Sequence, residues 1–262
     1  MKYLIGIDLD GTLLTDDKKI TNFNKNIIKE LIEKGHKICL VTGRSFDGTI
    51  HYYNELNLDT PLITLNGALI NKTNEIKTTY LTKEFMTYYK NNIHKYVLTG
   101  FYNSLDLIYT YKHDLELERT FNGELGHNYK EIDLNLELDD ILNIVVAIND
   151  SDMINFEKEF TNQDVSPRYW GSIKGIAFYD LYNNIISKAD ALKVVLNKFG
   201  MTEDNLITIG DGVNDLEMLS FAKQGIAMKN ATNEVKSFAS STTLHDNEND
   251  GVGKHLYELL LK

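Results

Sequence analysis

Short apolar runs that end in polar residues recur in the first and last thirds of the chain. Residues 3–7 are apolar on both faces of a strand and precede turn residues, which is typical of a buried parallel strand. Residues 37–41, 62–65 and 206–209 share this character. We therefore predict a parallel sheet built from both ends of the chain.

Amphipathic segments alternate with these runs. Residues 20–35 carry apolar side chains at helical spacing (Phe23, Ile27, Ile28, Leu31 and Ile32), with Thr21 or Asn22 as cap and Gly35 at the end. Residues 189–199 form a similar pattern that Gly200 closes. The order strand, helix, strand predicts a right-handed crossover. It brings the ends of the first two strands to one edge of the sheet.

The character of the chain changes after about residue 80. Tyrosines become dense, and strand-like runs such as Asn143–Asn149 alternate with amphipathic pieces. We predict an α/β fold in which residues 1–80 and 187–262 form a Rossmann-like core with a parallel sheet. Residues 81–186 are predicted to form an inserted α+β domain, with an antiparallel sheet.

Composition excludes several classes of function. The chain has 42% hydrophobic and 25% charged residues, no apolar run of about 18 residues and no signal-peptide pattern, so we expect a cytoplasmic protein without a membrane partner. Cys39 is the only cysteine, which excludes an intrachain disulfide and a thiolate-rich zinc site. A net charge of −11 and only three arginines (Arg44, Arg119 and Arg168) argue against nucleic-acid binding.

Two carboxylates, Asp8 and Asp10, follow the first predicted strand. In open α/β sheets ligands bind beyond the carboxyl ends of the strands, where both side chains would lie. Carboxylates this close need a cation, a shared proton or different protonation states. Taken alone, the pair also fits an ordinary Asp-Gly turn with two solvated acids.

Three further groups of polar residues lie at the same predicted edge. They are Thr42 with Gly43, Ser187 with Lys188, and Asp211 with Asn214 and Asp215. Each has a structural alternative: Thr42 could cap a helix, Lys188 could be solvated, Asp211 could form a turn, and Asn214 could be an N-cap. Their joint occurrence at strand ends favours an active site.

These segments resemble the four motifs of the haloacid dehalogenase-like phosphatases, in order and in spacing. The matching phrases are DLDGTLL at residues 8–14, VTGR at residues 41–44, SK at residues 187–188 and GDGVND at residues 210–215. Residues 66–68, 226–231 and 250–252 also resemble the Cof-type branch, whose inserted domain is a type IIB cap. The usual SKG is SKA here, which we expect to affect helix entry more than chemistry.

The resemblance implies a Mg²⁺-dependent phosphatase that forms an aspartyl-phosphate. It makes Asp8 the nucleophile and Asp10 the acid and base, and assigns Lys188, Thr42 and Gly43 to the phosphoryl group. Asn214 is expected either to donate to the phosphoryl group or to hold Lys188. The metal is expected on Asp8, Asp211 and the Asp10 backbone carbonyl, with Asp215 acting through water or by orienting the others. Carboxylates are ligands that Mg²⁺ prefers, so the chemistry is consistent.

Specificity is less well defined by the sequence. Arg44, Asn66 and Gly67 lie near the same edge and are candidates for the leaving group. Cap residues Arg168, Tyr169 and Trp170 are candidates too, although aromatic runs more often serve packing, and Tyr179 and Asp180 are weaker candidates.

The expected substrate is a small phosphorylated metabolite, which a closing cap would shield from water. Sugar phosphates come first, followed by FMN, pyridoxal phosphate and nucleotides. A sugar phosphomutase or phosphotransferase, and a non-catalytic protein that binds a phosphometabolite, remain alternatives. We expect a monomer or a small homo-oligomer.

Overall fold

The computed structural model of the protein describes residues 1–72, 75–112, 129–133 and 138–262. Arg119 lies outside the described residues. The described strands are β1 (Leu4–Ile7), β2 (Lys37–Leu40), β3 (Leu62–Thr64), β4 (Leu69–Lys72), β5 (Glu75–Thr78), β6 (Val97–Asn103), β7 (Ile108–Tyr111), β8 (Tyr129–Glu131), β9 (Asn143–Asn149), β10 (Val165–Ile173), β11 (Ile176–Asn183), β12 (Leu206–Gly210), β13 (Gln224–Ala227) and β14 (Ser241–Thr242). The described α-helices are α1 (Asn22–Glu33), α2 (Ile50–Glu55), α3 (Lys83–Tyr88), α4 (Met153–Lys158), α5 (Lys188–Lys198), α6 (Leu216–Phe221), α7 (Asn233–Ser237) and α8 (Gly251–Leu260).

The first compact unit comprises Met1–Arg44, Thr49–Lys77 and Ser187–Lys262. Its main sheet is parallel and has the order β14-β13-β12-β1-β2. Strand β1 lies between β12 and β2, and all four of its residues are buried. The carboxyl ends of β1 and β12 are therefore adjacent, and residues that follow these strands lie side by side.

Helices from the first and the last part of the chain belong to the same unit as this sheet. A Cβ on Gly6 would lie 3.1 Å from Leu192 of α5, so the small residue allows close approach of helix and strand.

Thr21 caps α1 by accepting a hydrogen bond from the Asn24 N–H, as predicted. Phe23, predicted to face inward, is 39% exposed. That prediction was wrong because Asn24 takes the inward position and accepts a hydrogen bond from the Gly253 N–H.

The second compact unit comprises Ser45–Gly48 and Thr78–Ile186. Its sheet has the order β10-β11-β9-β6-β7-β8, with antiparallel pairs throughout except for the parallel pair β7 and β8. One apolar cluster packs α3 and α4 on this sheet, and includes Phe85, Tyr89, Tyr102, Phe156 and Tyr179. The predicted α/β class, with a parallel core sheet, is confirmed.

Within the part of the chain that the structure describes, no helix is both long enough and apolar enough to cross a bilayer.

Candidate active site

Three carboxylates converge where β1 and β12 end. Asp8 follows β1, and its backbone N–H donates to the Ile209 carbonyl at 3.0 Å. Asp211 follows β12, and Asp215 lies one helical turn later. One oxygen from each of Asp8, Asp211 and Asp215 lies within 4.8 Å of the others. Together with Lys188, these three residues are called the inner cluster below.

Lys188 is the buried cation of the inner cluster. Its Nζ donates to Oδ1 of Asp8 and to Oδ1 of Asp215, both at 2.6 Å. Its side chain is 0% exposed. Helix α5 begins at Lys188, and the Ser187 side chain caps it by accepting from the Asp190 N–H. The cap therefore fixes the position from which this ammonium group reaches the carboxylates.

Backbone and hydroxyl donors hold the other two carboxylates. Oδ2 of Asp215 accepts from the N–H groups of Asp211 and Gly212, each at 2.9 Å. The Thr12 hydroxyl donates to Oδ1 of Asp211 at 2.7 Å. Gly11, at φ 70°, lies so close that a Cβ there would be 2.3 Å from Asp211 Oδ2. Only glycine fits this position without displacing the carboxylate.

The inner cluster carries more negative charge than Lys188 can neutralise. Burial raises the pKa of Asp8 well above its ordinary value, and although Lys188 opposes this shift, Asp215 and Asp211 reinforce it. Burial likewise raises the pKa of Asp211 to about 6. Buried, closely spaced carboxylate oxygens with excess negative charge fit a hard divalent cation such as Mg²⁺.

Asp10 occupies a different environment, although it is only two residues from Asp8. Arg44 donates to it through two atoms, Nε to Oδ2 at 2.6 Å and Nη2 to Oδ1 at 2.7 Å. Lys18 Nζ donates to Oδ1 at 2.7 Å. Asp10, Arg44 and Lys18 are called the outer cluster below. Burial alone would raise the pKa of Asp10, but Arg44 and Lys18 outweigh it and hold the pKa below its usual value.

The remaining predicted residues of this unit form a connected edge beside the clusters. Thr42 is buried, and its hydroxyl accepts from the Arg44 N–H at 3.1 Å. The Asn66 N–H donates to the Thr42 carbonyl at 2.9 Å, and a Cβ on Gly43 would lie 3.3 Å from the Asn66 side chain. Asn214 Nδ2 donates to Asn66 Oδ1 at 2.9 Å. Asn66 is thus the link between Thr42 and Asn214.

Gly67 explains why this edge is so compact. Its φ is 106°, and a Cβ there would lie 2.6 Å from the Ser187 carbonyl oxygen. The glycine lets the turn after β3 approach the start of α5. The two segments that carry Asn66 and Lys188 therefore meet through backbone contact.

Sequence reasoning missed Thr12 and Lys18, whose side chains donate to Asp211 and Asp10. Thr12 lies inside the DLDGTLL phrase, so its position between the aspartates and the buried leucines was an available signal. Lys18 had no such signal, because its contact with Asp10 depends on how the chain folds back after residue 15.

The predicted cap residues lie in the second unit. The Arg168 guanidinium lies 4.3 Å from the centroid of the Tyr182 ring, and the Tyr169 hydroxyl is 2.8 Å from Ser172 Oγ. Trp170 is 52% exposed. Tyr179 is buried in the apolar cluster and donates to Glu157, while buried Asp180 accepts from Asn143 Nδ2 at 2.7 Å. Tyr179 therefore packs in the core of its own unit.

Comparison with known proteins identifies relatives across the whole chain. A sequence model of the haloacid dehalogenase-like hydrolase family matches residues 5–256. The 5-amino-6-(5-phospho-D-ribitylamino)uracil phosphatase YitU of Bacillus subtilis is 31% identical over 276 residues, covering 98% of this chain and 97% of that protein.

Solved structures agree with this match. A haloacid dehalogenase-like hydrolase from Bacteroides thetaiotaomicron superposes with a TM-score of 0.81 at 27% identity, covering 99% of this chain and 100% of that one. The subclass IIB sugar phosphatase BT4131 superposes with a TM-score of 0.84 over 98% of this chain and 99% of its own, and at 21% identity this likeness is one of fold.

These matches confirm the predicted resemblance to the Cof-type branch and the prediction that the protein is a hydrolytic enzyme related to phosphatases. The residues matched by the family model include Asp8, Lys188 and Asp215. The chain belongs to the haloacid dehalogenase-like hydrolases.

Proposed function

We propose that this hydrolase is a Mg²⁺-dependent phosphatase that acts on small phosphorylated metabolites through an aspartyl-phosphate on Asp8. The observation that carries the proposal is the inner cluster, in which Lys188 donates to Asp8 and Asp215 while Asp211 lies within 4.8 Å of both. Phosphate ester hydrolysis depends mainly on positioning and on charge stabilisation, and this cluster offers both.

Asp8 and Asp211 would hold the cation, with the Asp10 backbone carbonyl, and Asp215 would act through water or by orienting the others. Both Asp215 oxygens already accept hydrogen bonds, from Lys188 and from two backbone N–H groups, which supports its indirect role. When bound, the cation would reduce the repulsion between the phosphoryl oxygens and the Asp8 carboxylate.

In the first step an Asp8 oxygen attacks phosphorus, and the bond from phosphorus to the leaving oxygen breaks. Because Arg44 and Lys18 hold the pKa of Asp10 below its usual value, Asp10 would first take up a proton as the substrate binds and then give it to that oxygen. In the second step water attacks phosphorus, gives a proton to Asp10, and the bond to Asp8 breaks, so that phosphate leaves. Lys188, Thr42, Gly43 and Asn214 would contact the phosphoryl oxygens through N–H or O–H donors.

The substrate class that we favour is a phosphate ester on a sugar or sugar alcohol. YitU is named for a 5-phospho-D-ribityl compound and BT4131 for sugar phosphates, and both names describe phosphate on a polyhydroxylated carbon chain. Arg44 and Asn66 are candidates to contact this part of the substrate. FMN, pyridoxal phosphate and nucleotides come next.

We also propose the division of the chain into a core of residues 1–80 and 187–262 and a cap of residues 81–186. The two compact units, with their separate sheets, support this division. The cap residues Arg168, Tyr169 and Trp170 are then candidates for substrate selection.

The test is phosphate release from a panel of sugar phosphates, ribityl phosphates, FMN, pyridoxal phosphate and nucleotides. Each compound is offered with Mg²⁺ and with chelator, to the wild type and to Asp8→Asn. We expect metal-dependent release in water without an added acceptor, and loss of release in the variant. Transfer only to an acceptor sugar would indicate a mutase, and tight binding without turnover would indicate a binding protein.

A further inference from the structure

A second cation, which lies outside every motif, contacts the Asp10 carboxylate. Lys18 Nζ donates to Asp10 Oδ1 at 2.7 Å, and Arg44 Nη2 reaches the same oxygen at 2.7 Å. Lys18 belongs to a tight turn in which its N–H donates to the Thr15 carbonyl at 2.8 Å. Its φ of 59° is a left-handed conformation that lysine adopts at a cost. The fold therefore holds Lys18 in an unfavourable backbone conformation beside Asp10.

One aromatic side chain connects the two cations. The Tyr52 hydroxyl donates to the Lys18 carbonyl at 3.0 Å, which fixes the turn. The Arg44 guanidinium lies 5.6 Å from the centroid of the same ring. Tyr52 is buried in the first unit and comes from α2. A single residue thus supports both groups that bind Asp10.

This arrangement restricts how the Asp10 carboxylate can turn. Arg44 binds both of its oxygens, and Lys18 binds Oδ1 from the turn that follows residue 15. Charge-assisted hydrogen bonds from two separate segments fix orientation more tightly than one partner does. Proton transfer requires a donor within hydrogen-bond reach of the reacting oxygen, so small losses of orientation reduce the rate.

We propose that Lys18 is a positioning residue for Asp10, and that Tyr52 keeps Lys18 in place. This inference rests on the proposed function, in which Asp10 gives a proton to the leaving oxygen and takes one from water. Lys18 acts through Asp10.

The first variant is Lys18→Met, which keeps the length of the side chain and removes its charge. We expect kcat to fall about tenfold, a part of the 10²–10⁴-fold that acid–base groups contribute, with KM changed by less than about twofold. Lys18→Arg should restore most of kcat. The matched control is Lys19→Met, an exposed lysine in the same turn, and it should match the wild type.

A double-mutant cycle with Asp10→Asn decides whether Lys18 works through Asp10. Single-turnover phosphate release is measured for Asp10→Asn and for the combination with Lys18→Met. If Lys18 only positions Asp10, the second change should have no further effect. A tenfold loss in both backgrounds would overturn the inference, as would wild-type kcat in Lys18→Met.

Tyr52→Phe keeps the ring and removes the hydroxyl that holds the turn. We expect kcat to fall about threefold with KM unchanged, and no further fall when the change is added to Lys18→Met. Should Lys18→Met fail to fold, a cycle of Tyr52→Phe with Asp10→Asn takes its place. No further loss of rate in the Asp10→Asn background would support the inference, and an equal loss in both backgrounds would overturn it. If Asp10→Asn is as fast as the wild type, Asp10 is not the acid and base, and the proposed mechanism itself is refuted, independently of the role of Lys18.

Discussion

Asp8 and Asp10 are two residues apart at the end of one strand, and the structure places them in opposite environments. Asp8 lies in the inner cluster, where burial raises its pKa and Lys188 is its cationic partner. Asp10 lies in the outer cluster, where Arg44 and Lys18 lower its pKa and its side chain is 36% exposed. Two chemically identical groups thus acquire different properties from their partners and their burial.

The difference in exposure suits the two roles that we propose, whereas the pKa shifts run the other way. A nucleophile must be ionised and an acid protonated, so the bound cation and substrate would have to lower the pKa of Asp8 and raise that of Asp10. A nucleophile needs to be fixed and shielded from water, and Lys188 holds Asp8 from a fully buried position. A group that both gives and takes a proton needs access to the leaving oxygen and to water, and Asp10 retains that exposure. The comparison of the inner and outer clusters therefore predicts different consequences for the loss of each residue.

The largest effect is expected for Asp8→Asn. The asparagine has the same shape but cannot form the aspartyl-phosphate, so turnover should fall by about 10⁴-fold or more, to background. Circular dichroism should show an unchanged fold. Phosphate release is the measurement, and Asp17→Asn, which changes an exposed carboxylate in the following turn, is the matched control. Near-normal turnover in Asp8→Asn would refute the covalent mechanism.

Lys188→Met should affect stability as well as activity. Removing the ammonium group leaves two buried carboxylates, Asp8 and Asp215, without their cation, and the cost of breaking a buried pair is about 3–5 kcal/mol. Urea denaturation of the metal-free protein measures this loss. Lys193→Met, in the same helix and about half exposed, should change the free energy of unfolding by less than about 1 kcal/mol.

Adding Asp215→Asn to Lys188→Met should recover part of the lost stability, because one of the uncompensated charges is removed. A further loss in the double variant would show that the hydrogen bonds of Asp215 to the Asp211 and Gly212 N–H groups, rather than its charge, dominate its contribution to stability.

Asp10→Asn should slow turnover by about 10²-fold or more, the range for a lost acid–base group. It should destabilise the protein less than Lys188→Met does, because Asp10 and Lys18 are each 36% exposed and screened by solvent, although Arg44 is buried. Comparing the two denaturation curves checks this order. Equal losses of stability would mean that burial does not distinguish the two clusters.

The smallest effect is a pH dependence of stability in the chelator-treated protein. Burial raises the pKa of Asp211 to about 6, so the folded state binds its proton more tightly than the unfolded chain, whose value is about 4. This contribution favours the folded state below pH 4 and is lost as the pH rises towards 6.

Denaturation midpoints between pH 4 and 7 test this expectation, with Asp211→Asn as the comparison. The variant should lose less stability over this range than the wild type, and adding Mg²⁺ should reduce the difference. Identical slopes in the two chelator-treated proteins would contradict it. The lowered pKa of Asp10 acts with the opposite sign, since its contribution is lost as the pH falls.

Much of the first unit was predictable because its signals are local. A parallel strand buried on both faces reads as an apolar run, and β1 and β12 were found in that way. Polar residues placed just after such runs must lie at one edge of the sheet. That geometry, together with Ser187 as a helix cap, brought Asp8, Asp211 and Lys188 within reach of one another.

Other features escaped because their cause is not local. Asn24 rather than Phe23 faces inward from α1, because the Gly253 N–H donates a hydrogen bond to the Asn24 side-chain oxygen. The short strand β14 is two residues long and has exposed side chains, so no hydrophobic pattern marks it. A pattern of apolar residues cannot report a hydrogen bond made by a segment more than 200 residues away.

By itself, the sequence determined the α/β class, the order of the elements and the set of polar residues at one edge of the core sheet. These features depend on residues that are close in sequence, since apolar runs indicate buried strands and the polar residues after them indicate turns. Only the tertiary structure decided which carboxylate receives which cation. Lys188 reaches Asp8 across 180 positions. Lys18 and Arg44 meet on Asp10, and Tyr52 contacts Lys18 through its hydroxyl and Arg44 through its ring. Charge partnership depends on distance and burial, and both are fixed only when the chain is packed.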